Sequence, residues 1–237
     1  MRRPHVFFDF GGTLARVPPP LDRPGRVWAR ICQEFGVEVP DRSIQDALDA
    51  VGREQGRRIY DFLGRTDAFW HLYDARVMDQ LGIRERRAEI EHALQSIFDD
   101  PSRVELYPET RRVLADLRAR GYRLGVISNH HDGLRKVLRH HALERFFETV
   151  TYSQEAGTEK PDPAVFTLAL DRAGCSPSAA VHVGDSLNMD VAGARQVGMG
   201  VVWVNREDLP EVPGLFTVRT LDDLRAVLER LDPPGPV

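Results

Sequence analysis

Lysine is nearly absent from this chain. Only Lys136 and Lys160 carry an ammonium group; the rest of the 32 basic residues are arginines, and 36 acidic residues leave a formal net charge of −4. That balance offers no basic surface to nucleic acid or to an anionic membrane. Cysteine is scarce too. Cys32 and Cys175 stand far apart, in no metal-ligand spacing, and read as reduced thiols of a cytoplasmic protein rather than a disulfide framework. Long apolar runs are missing: none approaches the roughly 18 residues of a membrane span. The opening "MRRPHVFFDF" has the two arginines of a signal peptide, but its apolar stretch is too short and Asp9 interrupts it. The expectation is a soluble cytoplasmic protein with no nucleic-acid or membrane partner, as a monomer or a homodimer.

What is present suffices for a large core. The chain has 237 residues, 42% of them hydrophobic, enough for one large domain or two smaller ones. Residues 5–10 form a short apolar run that reads as a buried strand. After the proline-rich "ARVPPPLDRPG", residues 24 to 100 show helical spacing and no strand, for instance Val27, Ile31 and Phe35 ahead of Gly36. From about 106 the pattern changes. Strands "YRLGVIS", "TVTYS", "AAVHVGD" and "GVVWVN" alternate with helices such as "DPAVFTLALDRAG", "MDVAGARQVGM" and "TLDDLRAVLERL". Strict alternation predicts an α/β fold with a doubly wound parallel sheet covered on both faces. The expected division is a core of residues 1–15 and 106–237, with residues 16–105 inserted as a helical cap.

Open parallel sheets bind ligands beyond the carboxyl ends of their strands. Those ends deliver Asp9, then Ser128 and Asn129, then Gly184 and Asp185, while "TEKPDP" places Lys160 just before a helix. Singly, each is a common turn or cap residue. Together they put two carboxylates, a hydroxyl, an amide and an ammonium on one rim.

Four segments, "DFGGTL", "VISN", "EKPDP" and "VGDSLNMD", resemble the four motifs of the haloacid dehalogenase superfamily, and the helical stretch matches that family's cap in position. The resemblance implies a Rossmann-like core and a phosphatase-like hydrolase. Asp9 would be the nucleophile that becomes an aspartyl-phosphate on a small phosphorylated substrate. Mg2+ would be held by Asp9, the backbone carbonyl of Gly11 and Asp185. Ser128, Asn129 and Lys160, with Gly12 and Thr13, would contact the phosphoryl group, and Asp190 would orient Lys160 or a metal-bound water. Such chemistry needs positioning and charge neutralisation above all, and magnesium prefers oxygen ligands.

One position departs from the pattern. Family phosphatases usually carry a second aspartate two residues after the nucleophile, as general acid and base; here it is Gly11. Such help is typically worth about 10²–10⁴-fold. His130 and His131, next to Ser128 and Asn129, are candidate substitutes. A Schiff-base phosphonatase is disfavoured because no lysine lies between residues 15 and 135. A metal-free dehalogenase is disfavoured because Asp185 would leave a second negative charge beside Asp9. A weakly active binding protein remains an alternative. In the helical stretch, Phe69, Trp70 and Tyr73 read as packing or as a substrate wall, Arg16 as a solvated or substrate-facing residue, and His182 as a core residue.

Overall fold

The computed structural model describes residues 3–16, 24–55, 66–98, 100–130 and 132–231. They divide into two compact units: one runs through Arg16 and resumes at Leu106, and the other lies between Val17 and Glu105.

The first unit is built on a six-stranded, wholly parallel sheet. In chain order its strands are β1 (His5–Phe8), β4 (Arg123–Ser128), β5 (Thr149–Tyr152), β6 (Ala180–Gly184), β7 (Gly200–Val204) and β8 (Phe216–Val218), and the spatial order is β5-β4-β1-β6-β7-β8. Two short strands, β2 (Ala15–Arg16) and β3 (Glu105–Leu106), pair separately. The chain winds outward from β1 in both directions, so the strand order reverses beside β1. Strands buried on both faces read as unbroken apolar runs: all four residues of β1 are buried, as are Ala180 to Gly184 of β6. Helices α5 (Thr110–Ala119), α6 (Gly133–His140), α7 (Ser153–Ala156), α8 (Pro163–Ala173) and α9 (Ala192–Gln196) connect the strands up to β7, β8 follows β7 with no helix between them, and α10 (Leu224–Leu231) comes after β8. On one face Phe166, Ala169 and Leu170 of α8 pack with Phe7, Ile127 and Trp203 of the sheet.

Some boundaries differ from those the pattern predicts. β1 stops at Phe8, not residue 10, because the Phe10 carbonyl accepts from the amides of Leu14 and Ala15 and folds the chain into a turn. The helix expected over "MDVAGARQVGM" starts with a wide π-helical turn, Leu187–Val191, and becomes α-helical only at Ala192. There the amides of Asp190 and Val191 both donate to the Ser186 carbonyl, while the Asp190 side chain is drawn inward. β8, only three residues long, has no alternation that marks it in the sequence.

In the second unit the described residues are chiefly helical: α1 (Pro24–Glu34), α2 (Asp41–Gln55), α3 (Thr66–Gln80) and α4 (Arg87–Phe98). Val27 and Ile31 of α1, Ile44 and Val51 of α2, Val77 of α3 and Ile90 of α4 meet in a core of their own. Tyr73 packs against that core and donates its hydroxyl to the Leu48 carbonyl at 3.2 Å, so its ring serves packing. The side chains of Phe69 and Trp70 lie outside the described residues.

Candidate active site

The register of the sheet builds the site. Phe8 pairs with Val126 of β4 on one side and Val183 of β6 on the other. The residues that follow these three strands therefore emerge together at one end. Asp9 is anchored there by its amide, which donates to the Val183 carbonyl at 2.9 Å. Its side chain is buried.

Lys160 makes that burial tolerable. Its Nζ donates to Asp9 Oδ1 at 2.5 Å and to Asp190 Oδ1 at 2.6 Å, and all three side chains are buried. A buried charge is costly unless paired and hydrogen-bonded. Here one ammonium serves two carboxylates, which leaves the trio with a net charge of about −1. Burial opposes the lysine's charge, but Asp9 and Asp190 overcome it and push its pKa up. Burial likewise opposes the charge on Asp190, but Lys160 and a hydrogen bond from His182 hold Asp190 well below the usual carboxylate range. Asp9 goes the other way: burial first, then repulsion from Asp190 and Asp185, pushes it up to about 6 against the pull of Lys160.

Lys160 is held from behind. The Asn129 side chain bonds its backbone twice, Oδ1 accepting from the Lys160 amide at 2.8 Å and Nδ2 donating to its carbonyl at 3.1 Å. Two residues on, Asp162 caps α8 by accepting from the Ala164 amide at 2.8 Å, with Pro163 in the first turn. The Asn129 side chain thus holds the backbone of the lysine on both sides of its Cα. Ser128 ends β4 as a buried residue.

Asp185 is the exposed member. Its Oδ1 accepts from the Thr13 hydroxyl at 3.3 Å, and its carbonyl accepts from Trp203 Nε1 at 2.8 Å. Desolvation of its carboxylate, then Asp190, raises its pKa. One oxygen each from Asp9, Asp185 and Asp190 lies within 4.8 Å of the others. The set is all oxygen, which suits a hard divalent cation such as magnesium. With Lys160 and His182 already engaging Asp190, the pair open to an ion is Asp9 and Asp185.

The two neighbouring glycines are not equivalent. Gly12 adopts φ +75°, and a Cβ there would collide with the Asp185 carboxylate. Only glycine lets the loop lie against Asp185. Gly11 is exposed, has no positive φ, and has open space where a Cβ would project. Nothing in the backbone there demands glycine.

His182 is a core residue, as expected, but its burial serves the site. Its Nε2 lies 2.8 Å from Asp190 Oδ1, with Phe166 edge-on at 5.3 Å. A polar side chain on an otherwise apolar strand was the available signal. His130 stacks edge-on against Phe10 at 6.4 Å, and its backbone is tied to Ser153. His131 lies outside the described residues.

A buried lysine between two aspartates, beside a third aspartate, on the rim of a doubly wound sheet agrees with one sequence profile, that of haloacid dehalogenase-like hydrolases, which matches residues 4–198. The chain belongs to this family. The phosphoserine phosphatase of Thermus thermophilus is 39% identical over 147 residues, 62% of this chain and 58% of that protein. The glyceraldehyde 3-phosphate phosphatase of Methanothermobacter thermautotrophicus is 40% identical over 136 residues, 53% of this chain and again 58% of that protein. The chain thus spans just under three fifths of these two curated relatives. The crystal structure of a family phosphatase from Thermococcus onnurineus superposes with a TM-score of 0.71 at 30% identity, covering 95% of this chain and 97% of that one. A 2-haloacid dehalogenase from Pseudomonas syringae superposes equally well, with a TM-score of 0.72 at 27% identity over 96% and 99%. Overall shape therefore does not separate the two chemistries within the family. Among the described residues, no helix is long and apolar enough to cross a membrane.

Proposed function

We propose that this family member is a magnesium-dependent phosphatase acting on a small phosphorylated molecule, with Asp9 as the group that accepts the phosphoryl. The observation that carries this reading is the approach of Asp185 to Asp9 with a single lysine to offset the acidic cluster. A second carboxylate beside the nucleophile is a handicap for attack on a neutral carbon–halogen bond. It is an asset where a cation must sit between the protein and a phosphate. Relatives named for phosphoserine and for glyceraldehyde 3-phosphate support a phosphorylated substrate.

The carboxylates of Asp9 and Asp185 and the carbonyl of Gly11 would hold the ion. Magnesium would supply charge neutralisation for the transferring phosphoryl group. Lys160 keeps Asp9 Oδ1 occupied and its carboxylate ionised, so the other oxygen is the one left to attack phosphorus. The ester P–O bond breaks as the Asp9–phosphorus bond forms, and the leaving oxygen takes the electron pair. Water then cleaves the aspartyl-phosphate, releasing inorganic phosphate and restoring the carboxylate. Ser128, the Asn129 backbone and Lys160, with Gly12 and Thr13, line the place where the phosphoryl oxygens would lie. Asp190 and His182 hold Lys160 in place. Catalysis belongs to the α/β unit, and substrate selection to the helical unit as a cap.

Gly11 limits the rate. It has no proton for the leaving oxygen and no base for the water, so aryl and acyl phosphates, whose leaving groups need little protonation, are the favoured class. The same position supports a second reading, a family member of low turnover that serves chiefly in binding. Release of phosphate from an aryl phosphate and from sugar phosphates, with and without magnesium, separates them. Magnesium-dependent release, faster for the aryl ester, is expected; halide release from a haloacid without metal would replace the phosphatase reading with dehalogenation.

A further inference from the structure

Arg206 is a charged residue on the same rim that the chemistry above does not use. It lies just beyond Val204, the end of β7. Its Nε donates to the Gly12 carbonyl at 3.1 Å and its Nη2 to the Thr13 carbonyl at 2.8 Å. Nη2 also meets Glu109 Oε1 at 2.9 Å, and the guanidinium carbon lies 3.4 Å from the centre of the Tyr107 ring. The side chains of Arg206 and Glu109 are only 15% and 8% exposed. Its partners flank the inserted unit in sequence: residues 12 and 13 precede it, and residues 107 and 109 follow it. The next residue of the loop is tied to the same return segment, since the Leu14 carbonyl accepts from the Thr110 hydroxyl at 2.7 Å and from the Tyr107 amide at 3.1 Å.

We propose that Arg206 is a positioning residue of the metal site, gripping the carbonyls of Gly12 and Thr13 so that the loop after Asp9 holds its shape, with the Thr13 hydroxyl on Asp185 and the Gly11 carbonyl assigned above to the ion kept in place. This rests on the magnesium reading of those carboxylates. A peptide unit is planar, so fixing the Gly12 carbonyl also fixes the Thr13 amide, and fixing the Thr13 carbonyl fixes the Leu14 amide. The Leu14 amide closes the turn onto the Phe10 carbonyl at 2.9 Å. Gly11 and Gly12 are the two residues of this loop whose φ and ψ no side chain restricts, and Gly12 sits at φ +75°. The grip therefore acts where the backbone would otherwise move. Arginine suits the task because its rigid fork meets several acceptors at once, whereas an ammonium is a single point. Glu109 cancels its charge, so Arg206 contributes geometry to the site rather than a positive field.

The test compares R206A and R206K with the parent, first by amide hydrogen exchange of the metal-free proteins over the peptide containing residues 9–16, then by calorimetric titration with magnesium. Both variants are expected to exchange at least about 10-fold faster in that peptide, with β1 and β6 unchanged, and to bind magnesium about 10–100-fold more weakly, the usual cost of losing a partner behind a metal ligand. A residue that only stabilises the fold would lower the melting temperature and leave the magnesium affinity alone; that result, or loop exchange within twofold of the parent, overturns the proposal. R206K carries the test if R206A does not fold. A parent protein that binds no magnesium overturns the metal reading instead, and loop exchange then decides by itself whether Arg206 holds the loop.

Discussion

Each unit of this chain buries a carboxylate on a helical segment, and the two carboxylates behave in opposite ways. In the α/β unit Asp190 has Lys160 at 2.6 Å, His182 at 2.8 Å and the Ser186 amide at 3.0 Å. It stays ionised far below the ordinary range. In the helical unit Asp74 of α3 is also buried, but the described residues supply it no ion pair. Burial, then the nearby Glu91, pushes it up to about 7 against a small opposing pull from His71, which itself pairs with Glu91. The same side chain is a fixed charge where donors converge on it and a proton carrier where they do not. Burial alone marks neither a site nor a flaw; the partners decide.

Breaking the better-supported pair should have the larger effect. Lys160→Met leaves Asp9 and Asp190 buried with no cation, and loss of one partner from such a cluster costs about 3–5 kcal/mol. Denaturant unfolding of Lys160→Met should show a loss of that order, partly recovered in the double variant Lys160→Met/Asp190→Asn. A loss below about 1 kcal/mol, or no recovery, would mean that the cluster is not held together by charge.

The opposite unit gives a smaller effect with a pH signature. Below about pH 4 Asp74 is protonated in both the folded and the unfolded chain. Between about 4 and 7 the unfolded chain releases that proton and the folded chain keeps it, so stability falls as pH rises through this window. A shift of this size corresponds to an upper limit of about 4 kcal/mol, at roughly 1.4 kcal/mol per pH unit. Asp74→Asn should remove most of that slope from unfolding free energies measured between pH 5 and 8. An unchanged slope would place the titration elsewhere.

The smallest contrast lies within two residues. Gly12→Ala should weaken magnesium binding by about 10-fold or more, since its Cβ meets the Asp185 carboxylate. Gly11→Asp should be accommodated, and should speed hydrolysis of ordinary phosphomonoesters by up to about 10²-fold if the new carboxyl reaches the leaving oxygen. Gly11→Asn is the control, with the same size and no acid–base function. Equal rates for the two Gly11 variants, both folded and both binding magnesium, would show that the missing carboxylate is not what limits turnover.

The sheet and the rim were legible in the sequence because both follow from local pattern. Apolar runs broken by helical spacing mark parallel strands; Asp9, Ser128, Asn129 and Asp185 stand at or just beyond strand ends, while Lys160 lies in the loop ahead of α8 and Asp190 in the helical turn after β6, and the motifs "EKPDP" and "VGDSLNMD" mark these two. What escaped was set by distant contacts. His182 reads as a core residue because the sequence does not reveal that Asp190, eight positions later, folds back onto it. Arg206 reads as one arginine among many because its acceptors are the backbone carbonyls of residues 12 and 13, nearly 200 positions away. The two glycines of "GG" differ in a way the sequence does not show: Gly12 is demanded by the approach of Asp185, whereas nothing in the backbone at Gly11 demands glycine.

The central claim is that Asp9 takes a phosphoryl group with magnesium's help, and mass spectrometry of the protein after brief incubation with an aryl phosphate tests it most directly. With magnesium present, the peptide containing Asp9 should gain the mass of one phosphoryl group, and that gain should persist because Gly11 provides no base to speed its hydrolysis. Chelation of the metal, or Asp9→Asn, should abolish the gain while the variant stays folded. Phosphate release continuing at the parent rate in purified Asp9→Asn would contradict the account.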